Sequence, residues 1–199
     1  LKAKYIKFYQ KEIDSLKKKY GKFIFISSSF PVDQIMKQSA HDKFRLENFN
    51  FVIKNKKDLI KKDNSNILRG EKENYLNLIS LVNKFASQNP NINIIFRPHP
   101  RQKIDLVKKR FDNKNKNIKV IYDGVITPWI AACELYLHGG CTSFLEAASL
   151  EKKIVYFVSS EHKKKAKMFK KFGYYFNDLN KCLKFMNSNI KQKKFNLKK

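Results

Sequence analysis

Hydrophobic positions along this 199-residue chain alternate between short unbroken runs and longer stretches with helical spacing. Over residues 1–19, Ile6, Tyr9, Ile13 and Leu16 share one helical face, and Gly21 follows as a stop. Phe23–Ile26 is a continuous apolar run closed by Ser27-Ser-Ser-Phe-Pro31, the pattern of a strand buried on both faces of a parallel sheet. Residues 31–62 read as one or two polar helices, and Asn64–Gly70 as a loop. From Glu71 to Ser87, Tyr75, Leu78, Ile79, Val82 and Phe85 recur at helical spacing until Asn89-Pro90-Asn91 breaks them. The order then repeats. Strands are expected at Ile92–Phe96, Lys119–Tyr122, Glu134–Leu137 and Ile154–Val158. Helices are expected near 102–111, after Pro128, at Thr142–Leu150 and at 162–172.

Strands of four to six residues alternating with helices predict an α/β fold: an open parallel, Rossmann-like sheet with helices on both faces. Ligands of such sheets sit at the carboxyl ends of the strands, and two polar groups fall there. The first is Arg97-Pro98-His99-Pro100, directly after the 92–96 run. Its prolines deny the chain a helical continuation. Arg97 and His99 would then either meet a phosphate at the sheet edge or simply be solvated where a strand ends.

The second group is His138-Gly-Gly-Cys-Thr-Ser143, with Glu146 in the helix that follows. A glycine turn (Gly139, Gly140) feeding a helix start presents backbone N–H groups and partial positive charge to a phosphate. Thr142 or Ser143 would cap the helix or donate to a ligand. Glu146 stands in an otherwise apolar segment, where a carboxylate can accept hydrogen bonds from ribose hydroxyls. The plainer alternative is a simple βα turn with Glu146 exposed. Cys141 reads as a small turn residue, Trp129 as core, and Asp123-Gly124 as a turn; neither His41 nor His162 lies near a motif.

Composition adds a constraint. The chain carries 43 Lys+Arg against 17 Asp+Glu, a formal charge of +26. The excess is nearly all Lys, with abundant Asn, Ile, Phe and Tyr, the bias an AT-rich genome imposes on solvent-facing positions. Its distribution says more. Fifteen lysines fall between Lys152 and Lys199, whereas no Lys or Arg occurs from Val120 to Glu151. That gap marks a buried strand pair, a buried site, or both. The basic segment 162–172 fits an ordinary surface helix, an anionic membrane surface or a phosphate backbone. The lack of aromatic stacking platforms and of RNP-, KH- or zinc-type signatures disfavours the last. No run approaches the roughly 18 apolar residues of a membrane span, and no signal-peptide core is found. Three cysteines without a CxxC pair argue against zinc or a disulfide framework and for a reducing, intracellular setting. The chain opens on Leu1 rather than Met, and whether it is a fragment of a longer protein stays open.

Taken together, Phe96-Arg-Pro-His-Pro100, Trp129-Ile130, His138-Gly-Gly-Cys-Thr-Ser-Phe-Leu-Glu-Ala147 and Lys153-Ile-Val-Tyr156 resemble the nucleotide-binding half of GT-B glycosyltransferases. The likeness covers roughly residues 20–160. It is greatest to bacterial surface-carbohydrate and capsule biosynthesis proteins and to CDP-glycerol glycerophosphotransferases. The resemblance implies phosphate contacts from Arg97, His99, Gly140, Thr142 and Ser143 and a ribose contact from Glu146. Gly139 joins the phosphate-binding candidates as part of the glycine turn, and His138 is a candidate acid or base. The resemblance implies no cofactor and no metal, only a nucleotide-activated sugar or polyol phosphate as substrate. Two departures stand out. A GT-B enzyme has a second, acceptor-binding domain that about 200 residues do not hold, and the small-residue position before the last strand reads Glu151-Lys152-Lys153 here.

The resulting expectation is a helical lead-in or linker at 1–20, a Rossmann-like nucleotide-binding domain at 21–177 and a basic helix and tail at 178–199. The expected function is donor binding in polysaccharide biosynthesis, in the cytoplasm or peripherally at the inner face of the membrane. The rivals are a nucleotide-sugar epimerase of the same fold, and a non-catalytic basic domain that binds anionic membrane or nucleic acid.

Overall fold

The structure, a computed structural model, describes residues 6–28, 57–100, 102–158 and 169–191. Helix α1 (Gln10–Tyr20) ends at Gly21, whose positive φ of 61° and N–H bond to the Lys17 carbonyl close the last turn. Strand β1 (Phe23–Ser27) follows, buried at every position. Helix α2 runs unbroken from Lys57 to Gln88, so the loop expected at Asn64–Gly70 is helix. Asn, Ser and Gly cost at most about 1 kcal/mol each inside a helix. Once nucleated, a helix gains one hydrogen bond per added residue, which outweighs such losses. The packed turns at Tyr75, Leu78, Val82 and Phe85 supply the anchor.

Next come β2 (Asn93–Arg97), α3 (Ile104–Lys108), β3 (Ile118–Val120), α4 (Ile126–Ala132), β4 (Leu135–His138), α5 (Phe144–Ser149) and β5 (Ile154–Phe157). Pro128 lies in the first turn of α4, where its missing N–H leaves no gap in the helical ladder. The chain closes with β6 (Tyr174–Phe176) and α6 (Leu179–Lys191). Strand β6 has no counterpart in the expected element list. The expected polar helices at 31–62, apart from 57–62, and most of the expected 162–172 helix lie outside the described residues, as do His41 and His162.

The sheet has six strands, all parallel, in the order β3-β2-β1-β4-β5-β6. This is the α/β Rossmann-like arrangement the sequence predicts. Alternation along the strands feeds two cores. Ile24, Ile26, Phe96, Leu137 and Phe157 face α2, α3 and α6. Phe23, Phe25, Ile95, Tyr136 and Tyr156 face α1, α4 and α5. On the second face Trp129, Phe25, Tyr136 and His138 form a row of stacked rings with centroid spacings of 6.1, 5.9 and 5.5 Å. Trp129 is therefore core, its indole N–H donating to the Asp123 carbonyl at 3.0 Å. Burial pushes the Cys133 and Cys182 thiols up to about 12, which leaves both as inert apolar residues. Among the described residues, no helix is long and apolar enough to cross a membrane.

Candidate functional site

Strands β1, β2 and β3 succeed one another toward one edge of the sheet, and β4, β5 and β6 toward the other. The direction of winding therefore reverses between β1 and β4, and the carboxyl ends of those two strands frame the crevice where such sheets bind ligands. Ser27, the last residue of β1, is paired in register with Arg97 of β2 on one side and His138 of β4 on the other. Two motifs 41 positions apart in the chain thus end side by side, with Ser27 between them.

The turn after β4 is built on that pairing. The phenol of Tyr136 lies 2.5 Å from Ser27 Oγ and 2.5 Å from Ser143 Oγ, and Ser143 Oγ donates to Cys141 Sγ at 2.9 Å. The chain of donors is then Ser27 to Tyr136 to Ser143 to Cys141. Burial pushes the Tyr136 phenol well above its ordinary value, so it stays protonated in the chain. Ser143, one of the two residues that could cap α5 or meet a ligand, makes no side-chain cap bond, because its hydroxyl is drawn down to the phenol. Thr142 is exposed, and its carbonyl accepts the Leu145 N–H. Gly140 turns the chain at φ 112° and donates its N–H to His138 Nδ1 at 3.2 Å. Among the described residues, no hydrogen bond uses the N–H of Cys141, Thr142 or Ser143.

His138 has no exposed surface. Tyr136, Phe144, Tyr156 and Phe169 surround it, with ring centroids 5.0–5.7 Å away. Burial alone pulls its pKa down to about 3, so the ring is neutral. With Nδ1 accepting from Gly140, the proton sits on Nε2, which among the described residues has no hydrogen-bond partner and lies among aromatic faces. This geometry props up the turn from within the aromatic enclosure.

Arg97 turns two of its donors to the backbone. Its guanidinium donates to the Asp123 carbonyl at 2.8 Å and the Gly124 carbonyl at 2.7 Å, and stacks on Tyr122 at 4.5 Å. It thereby fixes the loop that leads into α4. The backbone N–H of His99 donates to Ser28 Oγ and to Gln102 Oε1, at 3.0 and 2.9 Å, and its half-buried side chain lies at the same end of the sheet. Glu146, half-buried in the first turn of α5, accepts from Thr127 Oγ1 in the first turn of α4. Sequence reasoning overlooked Ser27, Ser28, Gln102, Thr127 and Tyr136. The serine run directly after an apolar strand was the available signal for the first two. Among the described residues, no three of His, Cys, Asp and Glu gather closely enough to hold a metal ion.

No protein family model and no curated protein matches the chain. Among solved structures, the chain is similar to the UDP-GlcNAc 2-epimerase of Methanocaldococcus jannaschii in complex with UDP-GlcNAc and UDP. The identity is 16% and the TM-score 0.57, over 95% of this chain and 45% of that one. A second match is the wall teichoic acid polymerase TagF, at 11% identity and a TM-score of 0.42, over 92% of this chain and 41% of that one. The chain spans less than half the length of either protein. The first likeness establishes the fold.

Proposed function

We propose that the carboxyl end of this sheet binds a nucleoside diphosphate that carries a sugar or polyol. On this reading the chain is the donor-binding half of a glycosyltransferase-like enzyme of cell-surface polysaccharide synthesis. The observation that carries the proposal is the reversal of strand order between β1 and β4, with the glycine turn of β4 directly at the reversal. The N–H groups of Cys141, Thr142 and Ser143, unbonded among the described residues, would take the phosphates. Glu146 would accept the ribose hydroxyls, with Thr127 setting its rotamer. His99 would add a donor to the phosphate group.

In this scheme Arg97 and His138 act through others: Arg97 fixes the 122–125 loop, and His138 holds the Gly140 turn. The chemistry is displacement of the nucleotide, with backbone amides stabilising charge on the departing diphosphate. The acceptor, and the group that takes its proton, would come from a second domain. A nucleotide-sugar epimerase uses the same kind of binding half, and the neighbour of known structure holds UDP-GlcNAc and UDP. Nucleotide binding is common to both readings.

The test is thermal stabilisation of the purified chain by CMP, CDP and UDP, with a short oligonucleotide as control, at low and physiological salt. One nucleotide should raise the melting temperature at both salts, and Glu146→Ala should abolish the shift. A response to the oligonucleotide alone, lost with salt, would instead identify a basic binder of polyanions.

A further inference from the structure

Ser27 and Ser28 leave the end of β1 toward opposite faces of the sheet. Ser27 joins Tyr136 and Ser143; Ser28 turns to Gln102, just beyond the carboxyl end of β2. Gln102 is 8% exposed. Its Oε1 accepts two hydrogen bonds, from Ser28 Oγ at 2.6 Å and from the His99 N–H at 2.9 Å. Its own N–H donates to the His99 carbonyl at 2.8 Å, which fixes the backbone as well.

Two donors on one oxygen settle which end of the amide is which. Reversing the group would set its NH2 against the His99 N–H, donor against donor. The NH2 therefore points away from both partners, and among the described residues Nε2 is buried with no acceptor. A buried donor without a partner is unfavourable and uncommon in folded proteins. Here it is held in that state by three hydrogen bonds at the ligand-binding end of the sheet.

We infer that Gln102 is a recognition residue whose amide NH2 donates to an oxygen of the sugar or polyol carried by the diphosphate. This rests on the nucleotide reading above. Glu146 lies on the α4/α5 side of the sheet and Gln102 on the α2/α3 side, with the glycine turn of β4 in the middle strands. A ligand with its ribose at Glu146 and its phosphates at the turn would carry its far end away from α4 and α5, and Gln102 lies on the other side of the sheet. That end bears the hydroxyl groups to be told apart. A site with a fixed buried donor rejects a ligand that lacks the matching oxygen.

Gln102→Glu separates the structural role from recognition. One carboxylate oxygen still accepts from Ser28 and His99, while the donor becomes an acceptor. Calorimetric titration of the full chain with the pairs UDP and UDP-GlcNAc, and CDP and CDP-glycerol, gives the affinity ratio of substituted to bare nucleotide. In Gln102→Glu that ratio should fall about tenfold for the pair that binds. Plain charge repulsion moves it the other way, since the bare diphosphate carries more negative charge than its ester. Ser28→Ala keeps the amide but frees one of its holds, and should lower the same ratio by a smaller factor. A ratio unchanged or raised in both variants overturns the role of Gln102 while leaving the nucleotide site intact. If the wild-type chain binds none of the four compounds, the nucleotide reading falls, and this inference falls with it.

Discussion

Thr127 Oγ1 donates to Glu146 Oε2 across 2.5 Å, tying the first turn of α4 to the first turn of α5. The carboxylate is thereby held in one rotamer before any ligand arrives. Thr127→Val keeps the shape of the side chain and removes the donor. Nucleotide affinity should fall roughly fivefold, the worth of about 1 kcal/mol of lost orientation. Thr127→Ser should retain the wild-type value. Equal affinities in all three proteins would show that the hydroxyl does not position Glu146 for binding.

Arg97 makes a stability prediction before it makes a functional one. Its two carbonyl bonds and its stacking on Tyr122 use the planar fork of a guanidinium, which an ammonium cannot reproduce. Arg97→Lys should cost about 1–3 kcal/mol. For a chain of this size that corresponds to a melting temperature lower by several degrees. Nucleotide binding in Arg97→Lys should weaken only as far as the 122–125 loop loosens. A variant of wild-type stability that has lost all binding would mean that Arg97 meets the phosphate directly.

Tyr136→Phe isolates the hydroxyl chain beneath the turn. The phenyl ring keeps its place between Phe25 and His138, but Ser27 and Ser143 lose their shared partner. The expected cost is about 1–2 kcal/mol in chemical denaturation. Ser143 would then be free to cap α5, so nucleotide affinity should change along with stability. Ser27→Ala, which removes only the outer end of the chain, should cost less.

The central part of this architecture is legible in the residues themselves. Strand β1 is an unbroken apolar run because both of its faces are covered, and β4 and β5 read the same way for the same reason. Both candidate motifs fall at strand ends because prolines and glycines punctuate the pattern there. What local pattern cannot carry is partnership across the chain. Ser28 and Gln102 meet over 74 positions, and Arg97 finds carbonyls 26 and 27 positions away. Two donors of the Arg97 guanidinium go to backbone carbonyls, and the His138 ring sits in an aromatic enclosure, arrangements that neither motif announces. Asn64–Gly70 looks like a loop because local propensity cannot register the rest of a 32-residue helix. Strand β6 is three residues long, only partly buried and at an edge, too short to show a period.

Gly173 shows why that edge strand needs a glycine before it. A Cβ there would stand 2.5 Å from the Ile154 carbonyl oxygen and 2.8 Å from Ile154 Cβ, both on the first residue of β5. Neither can retreat without disturbing the β5–β6 ladder. Gly173→Ala should therefore destabilise the chain by about 1–3 kcal/mol. Gly124→Ala is the useful comparison, since it meets no atom within 4 Å and suffers only its positive φ of 57°. The loss in the melting curve should be larger at Gly173. The reverse order would mean that β6 is loosely held.

His138 should make stability depend on pH in a defined direction. Its pKa is about 3 in the folded chain against an ordinary value of 6.5. Below about pH 6.5 the unfolded chain takes up a proton that the folded chain refuses until near pH 3, so acidification favours unfolding. The contribution is fully present above pH 6.5 and is lost as the pH falls toward 3. Within that window the slope is about 1.4 kcal/mol per pH unit. Carboxylates also titrate there, so the comparison is with His138→Phe, which fits the same ring of aromatic neighbours and carries no ionisable group. The variant loses the acceptor for the Gly140 N–H and should be less stable at pH 7 by about 1 kcal/mol. As the pH is lowered from 6.5 to 5 the wild type should lose stability faster, until the two curves cross. Parallel curves over that range would mean that the imidazole takes up its proton in the folded state, and His138 would again be open to an acid–base role.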